Sequence, residues 1–107
     1  MIAELDAASF RAEVIAAPTP VLVDFYADWC GPCQAQNPML ERLAETVGNR
    51  ARLVKVNVDR SPELADLFQV RSIPTMILFA DGKIANRFTG ITPGQALAKA
   101  IVAVLKD

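Results

Sequence analysis

Cys30 and Cys33 stand three residues apart, around Gly31 and Pro32. Residues at that spacing share one face of a helix, so the two sulfurs come within reach of a disulfide. An apolar run precedes the pair and a helical pattern follows it, which puts Cys30 at the head of a helix. The unpaired N–H donors of a first turn and the helix dipole both favour the thiolate, and the thiolate is the nucleophile. Pro32 forfeits no donor that a first turn needs. Cys30 therefore takes the attacking role and Cys33, one turn further in, the resolving role. Half of a metal site is the other reading of the spacing. The sequence holds no further cysteine and no histidine, so such a site would need a second chain to complete it.

Five other residues invite chemistry. Asp24 interrupts the apolar run Val21-Leu22-Val23-Asp24-Phe25-Tyr26. Burial there disfavours the charged form and pushes the pKa up, and such a carboxyl exchanges a proton near neutral pH. An aspartate bonded to backbone at a strand end is the plainer alternative. Lys55 alternates with Val54, Val56 and Val58 and reads as a lysine with a solvated head. Ile73-Pro74 precedes a strand and reads as a strand-start proline. Trp29 sits in a strand-to-helix connection, which suits a partly exposed docking ring better than a core residue.

The elements that must position these residues follow from pattern. Asp6 caps a first helix that runs to about Ala16, with Phe10, Val14 and Ile15 near one face, and Pro18-Thr19-Pro20 stops it. The apolar run over 21–26 reads as a strand buried on both faces. A helix follows from Gly31 to Val47, with Met39, Leu40, Leu43, Ala44 and Val47 on one side and Pro38 as a kink. Leu53 to Asp59 reads as a strand. Ser61-Pro62 starts a short helix that carries Leu64, Leu67 and Phe68. Met76 to Ala80 and Ile84 to Thr89 form a hairpin around Asp81-Gly82. Thr92-Pro93-Gly94-Gln95 reads as a capping box for a last helix to about Leu105, which buries Leu97, Ala100, Ile101, Val104 and Leu105. The order predicts an α/β fold: a parallel strand-helix-strand unit, an antiparallel hairpin and helices on both faces of a mixed sheet.

Composition agrees with one ordered domain over residues 1–107. Apolar types make up 52% and charged types 21% of the 107 residues, and the formal net charge is -1. That balance argues against a nucleic-acid or anionic-membrane partner. No apolar run is long enough to span a membrane. The lack of histidine excludes Cys-His and Ser-His catalysis and His-containing zinc sites. The N-terminal residues are acidic and do not read as a secretory leader, which gives the cytoplasm as the expected compartment.

Trp29-Cys30-Gly31-Pro32-Cys33, preceded by Val23-Asp24-Phe25-Tyr26-Ala27-Asp28 and followed by Ile73-Pro74-Thr75, Asp81-Gly82 and Gly90, closely resembles the thioredoxin family. This family is the usual illustration of the C-x-x-C redox motif. The resemblance runs essentially from end to end. It implies the thioredoxin fold and a thiol–disulfide oxidoreductase that reduces protein disulfides, with no bound cofactor. It implies recharging by NADPH through thioredoxin reductase, disulfide-containing client proteins and a monomer. It also implies residue roles. Asp24 takes the proton of Cys33, Lys55 tunes Asp24, and the bond before Pro74 is cis. Trp29, Gly31, Pro32, Ile73, Pro74, Gly90 and Ile91 form a flat apolar substrate patch around the sulfur. Two positions depart from the pattern: Gln34 stands where relatives often carry a basic residue, and Tyr26 where many carry tryptophan.

Overall fold

A computed structural model describes residues 2–105. Its centre is a five-stranded mixed sheet in the order β1-β3-β2-β4-β5. The strands are β1 (Ala3–Glu4), β2 (Val21–Tyr26), β3 (Arg52–Asn57), β4 (Thr75–Ala80) and β5 (Lys83–Thr89). The helices are α1 (Ala7–Phe10), α2 (Gly31–Val47), α3 (Pro62–Leu67) and α4 (Gly94–Val104). β2 pairs parallel with β3 on one side and antiparallel with β4 on the other. All six residues of β2 are buried, as a central strand with both faces covered requires.

Side-chain alternation along the strands splits the core into two layers. Leu22, Leu53, Met76 and Leu78 pack with Leu40, Leu43 and Val47 of α2 and Leu97 and Ile101 of α4. Val21, Val23, Phe25, Val54, Val56, Ile77 and Phe79 pack with Phe10, Val14 and Leu64 on the opposite face. The sheet is thus covered on both sides, and the architecture is the thioredoxin fold.

Several local expectations need correction. The first helix keeps its Asp6 cap, closed by a reciprocal bond with Ser9, but becomes a π turn over Arg11–Ile15. Ser61 and Thr92 cap nothing with their side chains. The Thr92 hydroxyl donates instead to the Gly90 carbonyl, and its N–H goes to Gln36. Leu67 is exposed rather than buried. Val104 and Leu105 are only partly buried. Strand β1 carries no sequence signal, because two residues are too short for an alternation to show.

The hairpin turn has positive φ at both Asp81 and Gly82, the arrangement that two-residue turns between twisted strands prefer. Gly82 is also a site of close approach, since a Cβ there would lie 2.9 Å from the Ile15 carbonyl oxygen. Gly82→Ala therefore combines an unfavourable φ with a backbone clash. The expected loss is about 1–3 kcal/mol of unfolding free energy in denaturant titration, and an unchanged midpoint would contradict it.

Candidate active site

β2 leads directly into the Ala27–Cys30 connection, and the turn there is closed by the Cys30 N–H on the Ala27 carbonyl. Cys30 is the N-cap of α2 and keeps extended backbone angles. Its Sγ accepts the N–H of Cys33 at 3.2 Å. This is the bond an N-cap oxygen usually receives, made here by sulfur, and it favours negative charge on Cys30 when the pair is reduced. Cys30 and Cys33 are joined as a disulfide with Cα atoms 5.3 Å apart. Both are buried, with exposures of 4% and 1%, so the outer sulfur alone offers a narrow approach. Among the described residues, no cluster of three or more metal-ligating side chains forms.

The sulfurs are framed by two loops. The Ile73–Pro74 bond is cis, the geometry that the family resemblance implies. It sets the Ile73 carbonyl oxygen 3.8 Å from Cys30 Sγ. The Pro74 carbonyl accepts the Gly90 N–H at 2.8 Å, tying the second loop to the first. Trp29 is 71% exposed and anchors its ring by donating Nε1–H to Asp59 at 2.7 Å. Gly31, Pro32 and Ile91 are exposed, and Ile73 and Gly90 are half-buried. Pro74 is buried, so it supports the patch from beneath instead of contributing its surface. Ile91 also lines an open groove between α2 and α4, along with Met39, Leu43 and Pro93.

Asp24 lies on the face of β2 that α2 covers. It is 2% exposed, and its Oδ1 has no hydrogen-bond partner. Burial pushes its pKa up to about 7, and the Lys55 ammonium pulls in the other direction. Lys55 is the register partner of Asp24 on β3. It is half-buried rather than freely solvated, because its Nζ lies over the Tyr26 ring, 5.1 Å from the centroid. The side chain therefore has a fixed resting place beside the buried acid. Gln34, at the position where relatives often hold a cation, donates to the Asp28 carbonyl.

Sequence reasoning missed two polar residues that build the site. Gln36 is fully buried, donates to the Thr92 carbonyl at 2.9 Å and accepts the Thr92 N–H at 2.8 Å. It clamps the helix of the cysteines to the loop that carries Gly90 and Ile91. Its signal was a polar residue on the buried face of α2, one turn after Cys33. Asn57 is buried at the end of β3, and its Oδ1 accepts the N–H groups of Asp59 and Arg60. That turn delivers Asp59 to Trp29. An asparagine at a strand end is a recognised turn former, and this was the available signal.

Chemically, the site holds a reversible two-electron couple in the sulfurs, a buried acid that titrates near neutrality and an apolar rim. A family model described as Thioredoxin matches residues 1–103. Over 104 residues the chain is 46% identical to the bifunctional thioredoxin reductase/thioredoxin of Mycobacterium leprae, covering 97% of this chain and 21% of that protein. It is 39% identical over 94 residues to thioredoxin 1 of Synechococcus elongatus, covering 88% of each. It is 46% identical over 82 residues to the chloroplastic thioredoxin Y2 of Arabidopsis thaliana, covering 77% of this chain and 49% of that protein. The chain thus spans about a fifth of one of these relatives, about half of another and most of the third.

Proposed function

Because this chain belongs to the thioredoxin family, the thiol–disulfide oxidoreductases, we propose that it reduces disulfides in client proteins through Cys30 and Cys33. The observation that carries this reading is the Cys30–Cys33 disulfide at the head of α2, with the outer sulfur capped by the Cys33 N–H. The Cys30 thiolate attacks one sulfur of a client disulfide. That bond breaks, one client thiolate leaves, and a Cys30–client disulfide forms. Asp24 accepts the Cys33 proton, and the Cys33 thiolate then attacks Cys30 Sγ. The second client thiolate leaves, so the client gains two electrons and the pair returns to its oxidised form. Lys55 tunes the charge of Asp24.

Exposure of Trp29, Gly31, Pro32 and Ile91, with Ile73, Gly90 and Pro74 behind them, supports a docking patch without deep pockets. An extended client segment there pairs with the backbone of Ile73, in the manner of an added strand. Both electrons reside on the sulfurs, so the exchange needs no bound cofactor. One chain holds both cysteines and the proposed proton acceptor, which supports a monomer as the working unit. NADPH, acting through a thioredoxin reductase, restores the dithiol. The Mycobacterium leprae relative, named as a bifunctional thioredoxin reductase/thioredoxin, supports that partner. The compartment that suits a dithiol reductant is the cytoplasm, where thiols are kept reduced. Among the described residues, no helix is long and apolar enough to cross a membrane.

The test is NADPH-driven reduction of insulin disulfides with thioredoxin reductase supplied. The expected result is rapid turnover by the native chain and none above background for Cys30→Ser. Equal rates for both, or no turnover by a native chain whose disulfide still forms, would overturn the reading.

A further inference from the structure

One face of the sheet carries a row of charge across three strands. Glu4 of β1, Lys55 of β3 and Asp24 of β2 are successive register partners. Register partners project to the same face, and adjacent strands lie about 4.8 Å apart. Lys55 therefore stands one strand away from each acid. Its ammonium favours the ionised form of both Glu4 and Asp24.

The two acids differ in their other company. Asp24 is buried with an unpartnered oxygen. Glu4 is held on both oxygens: Oε2 accepts Arg60 Nε at 2.9 Å, and Oε1 accepts Arg60 Nη2 at 2.9 Å and the Tyr26 hydroxyl at 2.6 Å. Arg60, foremost, holds the Glu4 pKa down at about 2. Arg60 Nη2 also reaches the Tyr26 hydroxyl, and Nη1 reaches Asp28. The Tyr26 ring that Glu4 and Arg60 fix through its hydroxyl is the ring beneath the Lys55 ammonium.

We propose that Glu4 is a positioning residue of the exchange site, which together with Arg60 and Tyr26 sets how much of the Lys55 charge Asp24 feels. This rests on the reading of Asp24 as the acceptor of the Cys33 proton. Glu4 draws the Lys55 ammonium toward β1, and the two-pronged Arg60 contact offsets most of that pull. Other charged or titratable groups around Asp24 are few. β3 presents Lys55, β2 itself presents Tyr26 two residues on, and the β4 partner is the uncharged Met76; the proposed proton transfer adds Cys33 of α2 once the pair is reduced.

The arrangement makes opposite demands of two substitutions. Glu4→Gln removes the pull, leaves Lys55 to Asp24 alone and makes Asp24 ionise more readily. Arg60→Gln leaves the Glu4 charge uncompensated, draws Lys55 away and makes Asp24 ionise less readily. A merely structural loosening would not reverse sign between the two.

The experiment follows the Asp24 carboxyl carbon by NMR through a pH titration of the oxidised protein. The midpoint should fall by about half a pH unit for Glu4→Gln and rise by a similar amount for Arg60→Gln, each a roughly threefold change in proton affinity. Both shifts should vanish in a Lys55→Gln background. Shifts of the same sign, no shift, or shifts that persist without Lys55 would overturn the proposal. The pH profile of mixed-disulfide resolution is read on the same variants. If the carboxyl midpoints move in opposite directions and the rate profile stays put, the positioning by Glu4 stands and the role of Asp24 in resolution falls.

Discussion

Asp24→Asn is expected to stabilise the protein by about 4 kcal/mol near pH 8 and by almost nothing near pH 4. The folded carboxyl titrates at about 7, against 3.8 for the ordinary group. Between those values the native state keeps a proton that the unfolded chain has released. Stability therefore falls as pH rises through that window, and it is fully present only below the unfolded pKa. Above about pH 7 the folded protein must carry a buried charge that Lys55 only partly compensates. Asparagine keeps the shape and removes the charge. Urea titrations of both proteins at the two pH values check this. A gain of equal size at both would show that packing, not ionisation, carries the effect. The same substitution removes the proposed proton acceptor, so resolution should slow as stability rises, the usual trade at a site held in an unfavourable state.

Cys33→Ser converts turnover into capture. Cys30 still attacks a client disulfide, but no second thiolate is present to break the mixed disulfide. One equivalent of client should become covalently attached per chain, visible on a non-reducing gel and released by added dithiothreitol. Cys30→Ser should capture nothing under the same conditions. Capture by the Cys30→Ser chain instead would reverse the assignment of the two sulfurs, and burial of Cys33 at 1% exposure opposes that reversal.

The parts of this molecule that were legible in the sequence are those that repeat a pattern over several residues or place a constrained residue at a boundary. The β2 run has six apolar or interrupting residues in a row, and α2 shows its buried side at every turn. Asp81-Gly82 announces its turn through the backbone angles that only a few residue types accept. The cysteine pair was legible because its spacing and its place at a strand-to-helix junction restrict the chemistry. Tertiary pairings over long separations were not legible. Glu4 meets Arg60 across 56 residues, and Gln36 meets Thr92 across another 56. Lys55 read as solvated because its strand pattern cannot reveal the Tyr26 ring beside it. Thr92 looked like a cap because its local sequence fits one, but Gln36 and Gly90 take its polar groups first.

The margins of the sheet carry a last consequence. β1 is two residues long, and β5 is almost wholly exposed, with Lys83 and Arg87 along it and a register irregularity against β4 at Leu78 and Phe79. Short length, cationic side chains and a bulge are the devices that keep an open border from recruiting another chain. The proposed docking of an extended client segment would expose the chain to such recruitment at each encounter. Here the borders offer little template for it, so high concentrations of this chain should resist sheet-driven aggregation.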